Sequence, residues 1–472
     1  MMIHHLLQAI LLVLLVWQTA IFWPLLRQFW RRPTKGRKKQ RRRSEMPHAV
    51  RQRPPCPLCQ AAEEQPSPPL PPPPPVIHQK RGRPREVDTH NRYCPNKQCP
   101  YYGWVGRGNI RANGHPNGGP WRQLQCTVCG KFFMETHGTI FYRHRVPAET
   151  ILLVLKALAE GMGIRQAARV FGVDPNEVLD WLRQAAHHLE AVSRYLLHDL
   201  QVSQVQMDEL YALISRVGEG SAEGEDMPTH LRQRRSHQWV WAAIDPVSKL
   251  LLAVVVGDRS LATAQILIHF VVQVLAPGVV PLFVSDQLMP YATALLTHFG
   301  RWVETPRRFR RGRPPKPRWQ PLPELLYAQV VKRRVKGRVV EVSYRVVYGA
   351  VEAIEAALAP WGWEINTAFI ERLHCTARQH IAALGRRVTS VAKTPEGLWQ
   401  QAMLWWGYYN FCLPHTALRV PLPQPIPTRG KGSPKKWQQR TPAMAAGLTD
   451  HVWSLEELLL FQVPPRTQRV AA

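Results

Sequence analysis

Acidic residues are scarce in this sequence of 472 residues: Asp and Glu number 33 against 62 Lys and Arg, which gives a formal net charge of +29 and a pI near 10.4. A surplus of positive charge this large predicts a polyanionic partner, DNA or RNA, bound through phosphate contacts and counterion release. A merely solvated basic surface is the alternative. The length predicts about two to four domains, and a hydrophobic share of 45% is enough to fill their cores.

Cysteine is also rare, with eight in the chain, of which Cys375 and Cys412 are single and the others form three close pairs. Pairs at this spacing indicate metal ligands and exclude the disulfide framework of a secreted protein. The pair Cys56 and Cys59 has no clear second half, and we interpret these two residues as free thiols.

The other two pairs predict a zinc ribbon over residues 90–146. Cys94 and Cys99 form its first pair, Cys126 and Cys129 form its second, and a glycine-rich segment separates the pairs. Four thiolates fill a tetrahedral Zn²⁺ site, and Gly130 suits the tight turn after the second pair. The spacing within the first pair is wider than the usual two residues.

No Lys or Arg precedes the apolar segment 6–26, whereas ten follow between Arg27 and Arg43. A secretory signal carries its positive charge before the apolar run, so that class is excluded. Three interpretations of residues 1–43 stay open: a membrane span with the basic block inside, an interfacial or partner-binding helix, and a start codon assigned too far upstream. Residues 44–89 are proline-rich and predict a semi-rigid linker. We expect a cytoplasmic, nucleoid-associated protein, with membrane association through residues 6–26 left open.

Residues 147–199 predict a helix-turn-helix. Helices are expected over about 148–160 and 164–171, and a third is expected to begin after Asp174, its N-cap, with Glu177 closing a capping box. The predicted buried face of the third helix consists of Val178, Leu182, Ala185 and Leu189. The residues left to face a DNA groove are Asn176, Arg183, Gln184 and His187. A plain helical bundle is the alternative.

Three acidic residues occupy positions that suit a two-metal nuclease. Asp208 lies in a strand-like run, Asp286 ends the apolar strand 281–285, and Glu371 lies in a helical segment. Such carboxylates suit a pair of Mg²⁺ or Mn²⁺ ions in each active site. Arg378 shares the helix face of Glu371 and is expected to contact phosphate.

Three further acids compete for these roles. Asp245 is interpreted as a hairpin-turn residue and Asp258 as the lead-in to the following helix. Glu209 follows Asp208 directly and would point to the opposite face of a regular strand.

Residues 200–420 predict an α/β, RNase H-like catalytic domain, followed by a C-terminal tail over 421–472. Its expected order is a three-strand meander, a helix, a strand, a helix and a short strand at Arg301–Val303. The basic segment 305–350 is interpreted as an insertion that contains a hairpin turning around Lys336 and Gly337. Arg-Gly-Arg-Pro occurs twice, around Arg83 and Arg313, and is similar to the core of an AT-hook, although simple charge is an equal interpretation.

The segment around Glu371 resembles the C-terminal catalytic signature of insertion-sequence-one type DDE transposases. The matching residues are Asn366, Glu371, Arg372, Thr376, Arg378, the run Leu384-Gly-Arg-Arg387, Thr389, Ser390 and Lys393. The cysteine pairs, the helix-turn-helix and Asp208-Glu-Leu-Tyr211 fit the same family, and Tyr409-Asn410-x4-His415-x2-Leu418 resembles the tail of many DDE cores. The resemblance covers about 93–418.

The resemblance implies a transposase that frees the 3′-OH ends of a mobile element and joins them to target DNA. It implies DNA-binding roles for Arg378, Arg386, Arg387 and Lys393. Joining two ends requires at least two active sites, so a homo-oligomer is expected. Two alternatives stay open: a non-catalytic DNA-binding regulator, with membrane tethering unsettled, and a nuclease that cuts without joining.

Overall fold

The computed structural model describes residues 87–217, 233–304, 316–336, 338–386, 390–428 and 432–465. Several predictions lie outside these residues: the apolar segment 6–26 with its basic block, nearly all of the linker, Cys56 and Cys59, and the arginines Arg83, Arg313 and Arg387. None of the helices in the described ranges is both long and apolar enough to cross a membrane.

A small antiparallel sheet lies nearest the N-terminus. Its strands are β1 (Ile110–Gly114), β2 (Gln123–Cys126) and β3 (Phe132–Met134), with β2 in the middle. The sheet has a hydrophobic core of its own, in which Tyr101, Ile110, Leu124 and Phe133 pack around the cysteines.

Three helices follow, α1 (Ala148–Ala159), α2 (Ile164–Phe171) and α3 (Pro175–Leu196). Gly172, with φ +67°, ends α2 in the left-handed conformation that glycine adopts without strain. The predicted N-cap of α3 is present, because the Asp174 carboxylate accepts a hydrogen bond of 2.7 Å from the amide of Asn176. That bond goes to Asn176 and not to Glu177, the position that a capping box uses. The four predicted core positions of α3 are fully buried.

The largest sheet has six strands and is flanked by helices. The elements from its first strand to its last are β4 (Gln204–Val217), β5 (Gln233–Ile244), β6 (Leu251–Gly257), α4 (Leu261–Val274), β7 (Leu282–Ser285), α5 (Met289–His298), β8 (Gly300–Val303), β9 (Arg318–Pro321), β10 (Tyr327–Val335) and β11 (Arg338–Tyr348). The strand order is β11-β10-β7-β4-β5-β6, and β7 runs parallel to both β4 and β10 while the other pairs are antiparallel. A mixed sheet with a meander on one side and parallel strands on the other is consistent with the predicted RNase H-like class.

The fifth strand of that arrangement is not the one that the sequence predicted. The short strand at Arg301–Val303 pairs only with β9 in a separate two-stranded sheet, and β10 lies beside β7 instead. The first four residues of β10 are all buried, as a strand between two neighbours requires, whereas β8 is only partly buried. Much of the segment that we interpreted as an insertion is therefore the edge of the main sheet. The hairpin turn at Lys336 is present, with φ +49°.

The remaining elements lie C-terminal to β11. They are α6 (Val351–Leu358), α7 (Ala368–His380), α8 (Pro395–Gly407), β12 (Val420–Ile426), β13 (Lys435–Gln438), α9 (Pro442–Ala445) and α10 (Leu455–Leu460). The apolar stripe predicted around Glu371, from Ile370 to Leu384, is buried. Asn410, fully buried after α8, accepts a bond from the amide of Leu251 (2.9 Å) and donates to its carbonyl (3.0 Å), which pairs the free edge of β6.

One hydrophobic core joins α1, α2 and α3 to the main sheet, α7 and α8. The turn after α1 lies against the end of α7: a Cβ built on Gly161 would be 2.4 Å from the carbonyl oxygen of Gln379, and its φ of +92° also requires glycine. His380 Nδ1 lies 3.1 Å from the carbonyl oxygen of Ala159. The three helices are thus built into the same body as the sheet.

Candidate active site

Strand register brings the first two predicted acids together. In the parallel pair of β4 and β7, Met207 lies opposite Ser285, so the next residues, Asp208 and Asp286, are neighbours where β7 ends. Each carboxylate is oriented by a backbone amide: Asp208 accepts from Glu209 at 2.8 Å, and Asp286 accepts from Leu288 at 3.0 Å. Sequence pattern placed Asp208 within one strand and Asp286 at the end of another, and the register explains why they converge.

Glu209 belongs to the same cluster, contrary to the prediction that it points away. One carboxylate oxygen from each of Asp208, Glu209 and Asp286 lies within 4.8 Å of the other two. Because β7 stops at Ser285, none of the described strands lies beside Glu209 on that side, and its longer side chain can reach the cluster. Arg259, also missed from the sequence, lies 3.1 Å from Glu209 and 3.6 Å from Asp286. A pairing register would have been needed to find either residue.

The electrostatics of this cluster suit a cation. Burial, reinforced by the charge of Asp286, raises the pKa of Asp208 to about 7. Burial likewise raises the pKa of Glu209 to about 7, against the lowering effect of the Tyr291 hydroxyl. Crowded, partly desolvated carboxylates repel one another, and a hard divalent cation such as Mg²⁺ or Mn²⁺ relieves that repulsion through oxygen ligands. The donor set therefore fits the metal that the sequence predicted.

Glu371 reaches the same cavity from α7. Gln206, a fully buried residue of β4, accepts a bond of 3.2 Å from the amide of Ile370 and donates one of 2.9 Å to the carbonyl of Asn366. These two bonds fix the start of α7 against the strand that carries Asp208. A cavity of about 690 Å³ is lined by Asp208, Glu209, Asp286 and Glu371.

The Glu371 carboxylate stands apart from the three-carboxylate cluster. It accepts a bond of 2.8 Å from the Thr367 hydroxyl and forms an ion pair with Lys332 of β10. Burial alone would raise the pKa of Glu371, but hydrogen bonds from Lys332 and Thr367 lower it. An internal ammonium thus neutralises this carboxylate.

A basic rim surrounds the acidic floor. Lys332 and Arg334 line the cavity from β10, and Arg378 and Arg386 line it from α7 and the turn beyond. Lys393 is exposed but is not part of the lining; it follows Ala392, which bridges to Ile214 of β4. Cations around clustered carboxylates suit a substrate that carries phosphate.

His374 connects α7 to the cluster. Its Nδ1 lies 3.4 Å from Asp208, and burial, together with the charge of Arg378, lowers the pKa of His374 to about 4. The imidazole is therefore neutral at pH 7 and lies beside Asp208 without adding positive charge to the cluster.

The four ribbon cysteines form a second candidate metal site. Their sulfur atoms all lie within 4.8 Å of one another, with Cys94 to Cys129 at 3.6 Å and Cys99 to Cys126 at 3.9 Å. Tetrahedral Zn–S bonds of about 2.3 Å place the sulfur atoms about 3.8 Å apart, so the spacing fits zinc. All four are free thiols, and Gly130, with φ +73°, makes the predicted turn.

The groove-facing residues predicted on α3 separate into two groups. Asn176 and Arg183 are exposed, and Arg183 pairs with Asp180 at 2.8 Å. Gln184 is only partly exposed and its carbonyl lies 3.0 Å from His144, while the His187 ring packs 5.2 Å from that of Trp399. Gln184 is thus turned towards the segment before α1, whereas His187 stays exposed beside α8 despite its contact with Trp399. Asn176, Arg183 and His187 therefore remain available to a partner on the exposed face of α3.

The rival acids have the structural roles that the sequence predicted. Asp245 accepts hydrogen bonds from the amides of Val247 (2.9 Å) and Ser248 (3.0 Å) in the turn between β5 and β6. Asp258 accepts from the hydroxyls of Ser260 and Thr263, each at 2.8 Å, ahead of α4.

Neither a scan of known protein families nor a search of curated proteins found a match to this chain. Among solved structures, the Mos1 transposase paired-end complex with left transposon end matches with 14% identity over 33% of this chain and 57% of that chain, at a TM-score of 0.14. The Mos1 strand transfer complex matches with 11% identity over 31% and 53%, at a TM-score of 0.12. The chain thus spans little more than half of each, and likeness at this level carries no argument.

Proposed function

We propose that the protein is a metal-dependent DNA transposase that cuts the ends of a mobile element and joins their 3′-OH groups to target DNA. The observation that carries the proposal is the convergence of Asp208, Glu209 and Asp286 where β7 ends beside β4, with Glu371 in the same cavity. A basic rim around this acidic floor supports DNA as the substrate.

In the proposed reaction Asp208, Asp286 and Glu371 would hold two divalent ions. The ions, when bound, activate the attacking oxygen and stabilise the leaving oxygen of an in-line displacement. Glu209, paired with Arg259, adds a third carboxylate to the cluster of Asp208 and Asp286. Arg378 and Arg386 bind phosphates of the strand on the side of α7, and Lys332 and Arg334 bind them on the side of β10.

Binding of the element ends is assigned to the N-terminal half. The cysteine sheet, with zinc bound, and the exposed face of α3, with Asn176, Arg183 and His187, would contact DNA in the manner of a zinc ribbon and a helix-turn-helix. Joining two ends requires two active sites, so the working form is a homo-oligomer on DNA.

The test is Mg²⁺-dependent nicking at the terminus of the element. Asp208→Asn, Asp286→Asn and Glu371→Gln should each abolish nicking and joining, because each deletes a charge needed to hold the metals, while DNA binding should persist. Asp245→Asn and Asp258→Asn are matched controls, which should affect stability more than chemistry. A Glu371→Gln protein that nicks at a near wild-type rate would contradict the assignment and transfer the third position to Glu209.

Two other functions are distinguished by simple observations. A nuclease without joining activity would cut the same ends but give no strand-transfer product, and its gene would lack flanking inverted repeats with a short target duplication. A non-catalytic DNA-binding regulator would bind DNA and show no metal-dependent nicking. The convergence of carboxylates speaks against the regulator, which has no need of it.

A further inference from the structure

A second cleft lies along a different stripe of α7 from the acidic cavity. Arg372, Thr376 and Gln379 line it from the helix, at the spacing of one helical face. The acidic cavity is lined instead by Glu371, Cys375 and Arg378 of the same helix. The second cleft has a volume of about 730 Å³.

The opposite wall of this cleft comes from the segment after α8 and the β12–β13 hairpin. Arg419 and Trp437 meet there, with the guanidinium carbon 4.5 Å from the centre of the indole ring. Trp437 remains 40% exposed. His415 and the hydroxyl of Thr416 also line the wall, and none of the described residues that line this cleft is acidic.

These groups match the two parts of a nucleotide. Guanidinium groups bind phosphate through paired N–H donors, and a tryptophan with a stacked guanidinium offers a flat platform for a base. The face of a base is available for such stacking only when the base is unpaired. The cleft therefore fits a nucleotide of an unpaired strand, in preference to an intact duplex.

We propose that the second cleft binds an unpaired nucleotide of the DNA strand that crosses α7, with its phosphate on Arg372 and Arg419 and its base on the Arg419–Trp437 platform. Arg372 follows Glu371 directly on α7, so the two clefts lie on neighbouring stripes of one helix and a DNA strand that crosses α7 can contact both. The inference rests on the proposed function and deepens it, because it states that the DNA is locally unpaired beside the acidic site.

The experiment uses the full-length protein and a DNA duplex with a short single-stranded overhang that carries 2-aminopurine, whose fluorescence is quenched by stacking. No divalent metal is added, so binding is measured apart from cleavage. Trp437→Ala should weaken binding of the overhang duplex by about tenfold and abolish the quenching, while binding of the blunt duplex stays unchanged. Trp437→Phe should restore most of both. Arg372→Ala should weaken overhang binding and make its salt dependence shallower by about one phosphate contact.

Trp361→Ala is the matched control, because Trp361 is similarly exposed, at 44%, and lines neither of the two sites. The inference would be overturned if Trp437→Ala bound the overhang duplex as tightly as the wild type does. It would also be overturned if the 2-aminopurine quenching survived in Trp437→Ala. Retained zinc content and circular dichroism identify folded variants, and Trp437→Phe and Arg372→Ala test the cleft even if Trp437→Ala unfolds. Failure of the proposed function is separate, since it appears as absent Mg²⁺-dependent nicking by a wild-type protein that still binds the overhang.

Discussion

At the scale of single residues, the acidic cavity combines carboxyl groups whose pKa is raised with one whose pKa is lowered. Burial holds the pKa of Asp208 and Glu209 near 7, whereas Lys332 and Thr367 keep the pKa of Glu371 below its usual value. A cation entering the cavity must therefore displace protons from the strand carboxylates and an ammonium group from the helix carboxylate. Both requirements couple metal binding to pH and to the position of β10.

We predict that divalent metal affinity rises steeply between pH 6 and pH 8. Protons leave Asp208 and Glu209 as the pH passes their pKa of about 7, so the metal competes with fewer protons, and the affinity gain is up to about tenfold per pH unit for each proton displaced. Titration calorimetry with Mn²⁺ at several pH values, in buffers of different ionisation enthalpy, measures the metal affinity and the number of protons released on binding.

The stability of the metal-free protein should change with pH in the opposite direction to its metal affinity. The unfolded pKa values, about 3.9 for Asp and 4.3 for Glu, lie below the folded ones, so the metal-free folded protein binds more protons between about pH 4 and pH 7. Its free energy of unfolding should fall as the pH rises through that window. The Asn side chain in Asp208→Asn cannot titrate. This substitution should therefore weaken the pH dependence of metal affinity and the pH dependence of the free energy of unfolding. A pH-independent metal affinity in the wild type would show that these carboxylates are already ionised.

At the scale of secondary-structure elements, the sequence predicts what depends on local pattern. The strand before Asp286, the apolar stripe of α7 and the Asp174 cap are set by near neighbours, and all three are present. The fifth strand and Glu209 depend on which strands pair, which local pattern does not encode. The contact of Gln184 with His144, 40 residues earlier, is likewise not encoded by local pattern.

We predict that Gln206→Leu lowers both the stability of the protein and its nicking activity, and leaves DNA binding unchanged. The substitution leaves the amide of Ile370 and the carbonyl of Asn366 buried without partners, which costs about 1–3 kcal/mol. The start of α7 should loosen, so nicking should fall at least tenfold while DNA binding persists. Urea unfolding and the nicking assay measure the two effects. Gln201→Leu, on an exposed residue before β4, should change neither, and a fully active Gln206→Leu protein would show that α7 is held by other contacts.

At the scale of the whole molecule, the described chain from residue 87 onward contains two differently built parts. The cysteine sheet has its own small core, whereas the three helices after it share the core of the main sheet. A part with few apolar residues depends on its metal for stability. The helices depend on packing against α7 and α8 instead.

We predict that purified protein holds one Zn²⁺ per chain and that Cys126→Ser/Cys129→Ser removes it. The cysteine sheet should then unfold locally and become sensitive to protease, while the helices and main sheet keep a cooperative unfolding transition. Elemental analysis and limited proteolysis check the two outcomes. Cys375→Ser, which lies outside the cluster, should leave the zinc content unchanged, and unchanged zinc in the double variant would refute the site.

Helix α7 is fixed at both of its ends. Gln206 binds its first turn beside Glu371, and the turn around Gly161, between α1 and α2, contacts the carbonyl of Gln379 in its last turn. The helix has 13 residues and is about 20 Å long at 1.5 Å per residue. In the proposed transposase, α7 would hold the acidic cavity at a constant distance from the three N-terminal helices, so the position of the cut relative to the recognised DNA sequence would stay the same from one event to the next.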